Sequence, residues 1–93
     1  MAEHIAIVGA GLMGTGIAQA FAVAGYEVSL FDPQADALHR APELIAQSLR
    51  ELGDARVPVQ LRLSTSIADA VANASIVFEC GPERLDIKRQ IFR

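Results

Sequence analysis

Cysteine occurs only once in the 93 residues of this chain, so no internal disulfide can form and no multi-cysteine metal site can be built. Basic residues are scarce as well: 8 Lys and Arg stand against 11 Asp and Glu, for a net charge of −3. That balance supplies no basic field for phosphate backbones, and a nucleic-acid partner is not expected. No apolar run reaches the ~18 residues that a membrane span needs, so no membrane partner is expected either. The opening MAEHIAIVG lacks a basic stretch ahead of a long apolar one. A signal peptide is therefore not expected, and a cytoplasmic setting is the default. Repeats and low-complexity stretches are absent. Length is short too. One core takes roughly 50–200 residues, so the chain holds one domain at most, and a domain this small buries little more than ~60% of its unfolded surface. Apolar residues, in contrast, are plentiful at 52%, which with the small net charge excludes a disordered chain.

The apolar residues fall into an alternating pattern of strands and helices. Glu3 to Val8 reads as a strand whose continuous run Ile5-Ala-Ile-Val8 suits burial on both faces, as in a parallel sheet covered by helices. Leu12 to Ala24 reads as a helix, with Gly25 as its left-handed stop. Glu27 to Phe31 is a second strand, closed by Asp32 and Pro33. Gln34 to Leu52 carries Leu38, Ile45, Leu49 and Leu52 as one helical stripe. Pro42 interrupts it, predicting a kink or a restart with Pro42 in the first turn. Val59, Leu61 and Leu63 alternate with polar residues and predict a third strand near a sheet edge. Ser66 to Asp69 has capping-box spacing and starts a short helix to about Ala72. Ser75 to Glu79 is a fourth strand, and Glu83 to Arg93 reads as a final helix. The alternation predicts an α/β fold of the Rossmann type: a partial doubly wound parallel sheet of about four strands, in the order 3-2-1-4.

The informative segment is Gly9-Ala10-Gly11-Leu12-Met13-Gly14, a GxGxxG placed directly between a strand and a helix. Gly9 would allow the tight turn, Gly11 would let the backbone approach a pyrophosphate, and Gly14 would let helix and strand pack closely. The amides at the helix start, with the positive end of its dipole, would face the pyrophosphate. Asp32 falls 18 residues after Gly14, near the spacing at which a carboxylate accepts hydrogen bonds from an adenosine ribose. A carboxylate there would repel a 2′-phosphate, and no Arg or Lys follows before Arg40. NAD is therefore preferred over NADP, with FAD the main competitor for the same turn. The plain alternative is a tight turn and a loop-opening acid with no ligand at all.

The stretches Ile7 to Gln19 and Ala24 to Asp32 closely resemble the start of the 3-hydroxyacyl-CoA dehydrogenases. A second block, Ser64 to Ser66 and Ala74 to Phe92, resembles the fourth strand and following helix of that family. The resemblance implies an N-terminal NAD-binding domain of an enzyme that oxidises an L-3-hydroxyacyl-CoA to a 3-oxoacyl-CoA in fatty-acid metabolism. It implies cofactor contacts from Gly9, Ala10, Gly11, Leu12, Met13, Gly14 and Asp32. By position it adds Glu83 and Lys88 near the nicotinamide ribose, and Ser48 as a contact to coenzyme A. A helix-start acid and a solvated cation are the plain readings of Glu83 and Lys88, and a solvated polar face is that of Ser48. The family lysine beyond Ser48 has no counterpart, since Ala55 and Arg56 stand in that turn.

The family's general base, a histidine oriented by a glutamate, lies downstream of the matched stretch, as does its helical second domain. His4 and His39 are not placed for hydride chemistry. The chain is thus expected to be an incomplete NAD-binding domain over residues 1–93, with no catalytic residue and no turnover alone. Its fourth strand is expected to be an open apolar edge (Ile76, Val77, Phe78), leading to a homo-oligomer across that edge or cover by the last helix. Two alternatives remain: the cofactor domain of another hydroxy-acid dehydrogenase, and a stand-alone nucleotide-binding module with a regulatory or assembly role.

Overall fold

Ile5, Ala6 and Ile7 are fully buried, and the strand that carries them lies at the centre of the sheet. A computed structural model describes residues 3–53, 61–80 and 85–89 of the chain. In chain order the elements are β1 (His4–Val8), α1 (Leu12–Val23), β2 (Glu27–Phe31), α2 (Ala35–Glu51), β3 (Leu61–Leu63), α3 (Ile67–Val71), β4 (Ile76–Cys80) and β5 (Leu85–Arg89). The sheet order is β3-β2-β1-β4-β5. The first four strands run parallel, with Ile7 opposite Leu30 on one side and Phe78 on the other. The α/β class, the 3-2-1-4 order and the edge position of β3 agree with the sequence.

Two helices cover one face of the sheet and one covers the other. Ile5, Ile7, Val28 and Leu30 pack with Ala18 and Ala22 of α1 and with Leu38, Ala41, Ile45 and Leu49 of α2. Each large aliphatic side chain so buried contributes about 1.5–3 kcal/mol. Ala6, Val77 and Ala74 form the smaller core on the opposite face, with Val8 and Val71 at its margin. The buried positions of α1 are small (Gly14, Thr15, Ala18 and Ala22), which brings its axis close to the strands. Gly25, at φ 99°, stops α1 as expected. The Ser66 hydroxyl accepts the Asp69 N–H at 3.1 Å and caps α3.

Three expectations are corrected. First, of the kink or restart expected at Pro42, the restart does not occur: α2 runs from Ala35 to Glu51 with Pro42 inside it. Pro42 is on the exposed side, and the buried stripe on the other side holds the helix through the missing N–H. Leu52 of that stripe is the C-cap and is 73% exposed. Second, residues 85–89 are not helical. They form β5, antiparallel to β4, with Ile87 opposite Phe78 and Lys88 opposite Val77. Pairing satisfies the N–H and C=O groups along the outer side of β4, which a helix would leave bare. Third, β4 is therefore not an open edge, and an oligomer formed across it has no free ladder to join. No helix among the described residues is long and apolar enough to cross a membrane.

Candidate functional site

Two of the three glycines in the turn between β1 and α1 are required by the fold. Gly9 has φ 120°, and a Cβ there would overlap the Cys80 carbonyl oxygen and stand 3.0 Å from the Cys80 carbonyl carbon. A Cβ on Gly14 would overlap the Gly9 carbonyl oxygen and stand 3.6 Å from Ile7 Cγ2. Close approach of turn, helix and sheet thus explains both residues. Gly11 is different. It is exposed, its φ of −76° suits any residue, and nothing lies within 4 Å of where its Cβ would stand. The protein's own packing gives no reason for glycine at position 11.

The space beside Gly11 is a cleft of about 710 Å³. It opens at the carboxyl ends of β1, β2 and β4, between Val8, Cys80, the turn and the Asp32-Pro33-Gln34 segment. β2 and β4 leave β1 on opposite sides, so the cleft sits at the switch point where open α/β sheets bind ligands. α1 begins at its mouth with Gly11 as N-cap, no side-chain cap and no acidic residue in its first turn. Its first amides and the positive end of its dipole therefore face the cleft with no side-chain cap on them. Leu12 is 87% exposed and Met13 52%, two apolar side chains at the mouth that the core does not use.

Asp32 closes the other side. Its Oδ2 accepts the Ala10 N–H at 2.8 Å, and its Oδ1 accepts the Gln34 N–H at 2.7 Å. Ionised, it keeps further acceptor positions on both oxygens. Cys80 completes the floor as a free thiol, and burial pushes its pKa up.

The structure thus brings together Gly9, Gly11, Leu12, Met13, Gly14 and Asp32 from the sequence reading. Ala10 is placed differently: it is 3% exposed, and its N–H is held by Asp32, so it anchors the turn without lining the cleft. Lys88 does not reach the cleft lining. It lies on β5, where its Nζ is 2.6 Å from Glu79 Oε1, because residues 85–89 follow the edge of β4 and not a helix. Glu83 lies outside the described residues. Ser48 lines a separate hollow of about 280 Å³ between α1 and α2, which Leu12 shares with the main cleft. His4 is at the far end of β1, bonded to Ser29 Oγ at 2.6 Å, and His39 is exposed on α2. Gln34 and Ala37 also line the cleft. Sequence reasoning missed them, and their only signal is their place just after Asp32.

Comparison with known proteins agrees with this geometry. A family model described as the NAD-binding domain of 3-hydroxyacyl-CoA dehydrogenase matches residues 4–93. The chain is 35% identical over 104 residues to a probable 3-hydroxyacyl-CoA dehydrogenase of Caenorhabditis elegans, covering 97% of this chain and 34% of that protein. It is 41% identical over 94 residues to an L-carnitine dehydrogenase of Streptomyces griseus, covering 96% of this chain and 28% of the relative. Among solved structures, an (S)-3-hydroxybutyryl-CoA dehydrogenase from Ralstonia eutropha superposes with a TM-score of 0.76 at 32% identity, over 90% of this chain and 32% of that one. The chain spans about a third of the length of the relatives it matches.

Proposed function

Because the chain belongs to the NAD-binding domain family of the 3-hydroxyacyl-CoA dehydrogenases, we propose that it is the cofactor-holding part of an enzyme that oxidises an L-3-hydroxyacyl-CoA to the 3-oxoacyl-CoA. The observation that carries this reading is Gly11: a glycine the fold does not need, facing an open cleft at a bare helix start. The amides from Gly11 to Gly14 would hold the pyrophosphate, and the free acceptor positions of Asp32 would hold the adenosine ribose hydroxyls. The chemistry the cofactor supplies when bound is acceptance of hydride from the carbon that bears the hydroxyl. The residues of this chain bind and orient it. Leu12, Met13 and Val8 give the cleft apolar walls.

The proton of the hydroxyl needs a general base, and neither His4 nor His39 is at the cleft. In this reading residues 1–93 are one part of the NAD-binding domain. By the family resemblance, the base and a helical domain would be supplied by the portion of the relatives' length that this chain does not span. Ser48 is assigned to the coenzyme A side, supported by its hollow adjoining the cleft at Leu12. A cytoplasmic setting goes with the proposal. A second reading keeps the cofactor and changes the substrate: identity to an L-carnitine dehydrogenase is as high as to the hydroxyacyl-CoA enzymes.

Titration of the 93-residue protein with NADH and NADPH, followed by nicotinamide fluorescence, tests the cofactor assignment. NADH is expected to bind at least about tenfold more tightly, because the Asp32 carboxylate opposes a 2′-phosphate. Equal or tighter binding of NADPH would contradict it.

A further inference from the structure

We propose that Asp32 also holds the glycine-rich turn in its binding shape before any ligand arrives. Pyrophosphate grip and ribose choice then run through one carboxylate. The inference rests on the cofactor reading above and adds a positioning role for Asp32 to its ribose contact.

The turn is tied to the end of β2 at two successive residues. The Gly9 N–H donates to the Phe31 carbonyl at 2.7 Å, a bond that depends on backbone alone. The Ala10 N–H donates to Asp32 Oδ2 at 2.8 Å, a bond that depends on a side chain 22 residues further on. Ala10 itself is buried while Asp32 lines the cleft, so without that oxygen the Ala10 N–H would exchange a fixed partner for cleft water. The other oxygen, Oδ1, is fixed by the Gln34 N–H at 2.7 Å, which sets the plane of the carboxylate. One carboxylate thus joins β2, the start of α2 and the glycine turn. Of its roughly four acceptor positions two are in use, and two remain for a ribose diol.

This arrangement makes a prediction opposite to that of simple charge removal. If Asp32 only repelled a 2′-phosphate, its loss would improve NADPH binding. If it braces the turn, its loss frees Ala10, lets the Gly9–Gly11 backbone drift, and misaligns the amides at the start of α1. The grip on the pyrophosphate, common to both dinucleotides, then suffers.

The test combines amide hydrogen exchange in the ligand-free 93-residue protein with NADH and NADPH titrations, for the parent, Asp32→Ala and Asp32→Asn. In Asp32→Ala the Ala10 and Gln34 amides are expected to exchange at least about tenfold faster, while Ile7 and Val77 in the sheet keep their rates. Affinity for NADH is expected to fall by about tenfold or more, while for NADPH the lost brace offsets the relieved repulsion and affinity is expected not to rise. Asp32→Asn has the same shape and one acceptor oxygen, so exchange should speed up at only one of the two amides. Unchanged Ala10 exchange in Asp32→Ala, or a gain in NADPH affinity of about tenfold or more, the full amount that relief of the repulsion alone would give, would overturn the proposal. Should Asp32→Ala not fold, unchanged exchange at both amides in Asp32→Asn would overturn it equally. If the parent protein binds neither cofactor, the cofactor reading fails by itself, and the exchange rates still decide whether Asp32 braces the turn.

Discussion

Gly14→Ala should strongly destabilise the fold. The added methyl would overlap the Gly9 carbonyl oxygen and stand 2.8 Å from its carbon. Both are backbone atoms, so no rotamer change can clear them. Gly9 in turn is fixed by its bond to Phe31 and by the Cys80 carbonyl beneath it. The only relief is for α1 to lift from the sheet. That would open the contacts of Ala18 and Ala22 with the strands, on the face that holds the larger core. Overpacking a tight contact costs about 1–3 kcal/mol, and more when backbone must move. A chain of this size holds only about 5–14 kcal/mol of stability in total. Urea melts followed by circular dichroism should show a loss of about 3 kcal/mol or more. A variant within about 1 kcal/mol of the parent would mean that α1 and β1 are less tightly joined than the structure shows.

Gly11→Ala should do the reverse, leaving the fold nearly untouched and removing the ligand. The site has an ordinary extended backbone and open space around it, so the cost is the difference between Gly and Ala at an N-cap. That cost is partly offset by a less flexible unfolded chain, and the net should stay within about 1 kcal/mol. The new methyl, however, stands in the cleft where a pyrophosphate must approach the backbone. Losing two charge-assisted hydrogen bonds at about 1.5–3 kcal/mol each should weaken NADH binding on the order of a hundredfold or more. Melts and NADH titrations of one preparation measure both effects. Unaltered NADH affinity would show that the dinucleotide lies elsewhere. The two substitutions, three residues apart in one motif, separate the part of the glycine pattern that serves the fold from the part that serves the ligand.

The first half of the chain was readable because its local signals agree. The apolar run Ile5–Val8, the glycines, the small face of α1, Gly25 and Asp32 all indicate the same strand-helix-strand unit, and the structure has it with nearly the same ends. The 3-2-1-4 order followed from the fold class and holds. The failures lie where local pattern competes with tertiary pairing. Leu85-Asp-Ile-Lys88 alternates apolar and charged residues with a period of two, a strand signal that the wider spacing to Ile91 and Phe92 obscured. The unpaired side of β4 then decided the matter by offering a ladder. Pro42 marked a break because its missing N–H is a local penalty, but the buried residues Leu38, Ala41, Ile45 and Leu49 outweigh it. The site was legible in its residue types. Its internal wiring was not, because no spacing rule connects the Ala10 amide to the Asp32 carboxylate.

The central claim is that the glycine turn and Asp32 form a dinucleotide site, and amide chemical-shift mapping tests it most directly. On addition of NADH to the isotope-labelled 93-residue protein, the largest changes are predicted at Gly11, Leu12, Met13, Gly14 and Asp32. The hydrophobic-core positions Ile45 and Leu49 of α2 should remain unmoved. No change on saturation with NADH, or changes confined to the hollow around Ser48, would contradict the account.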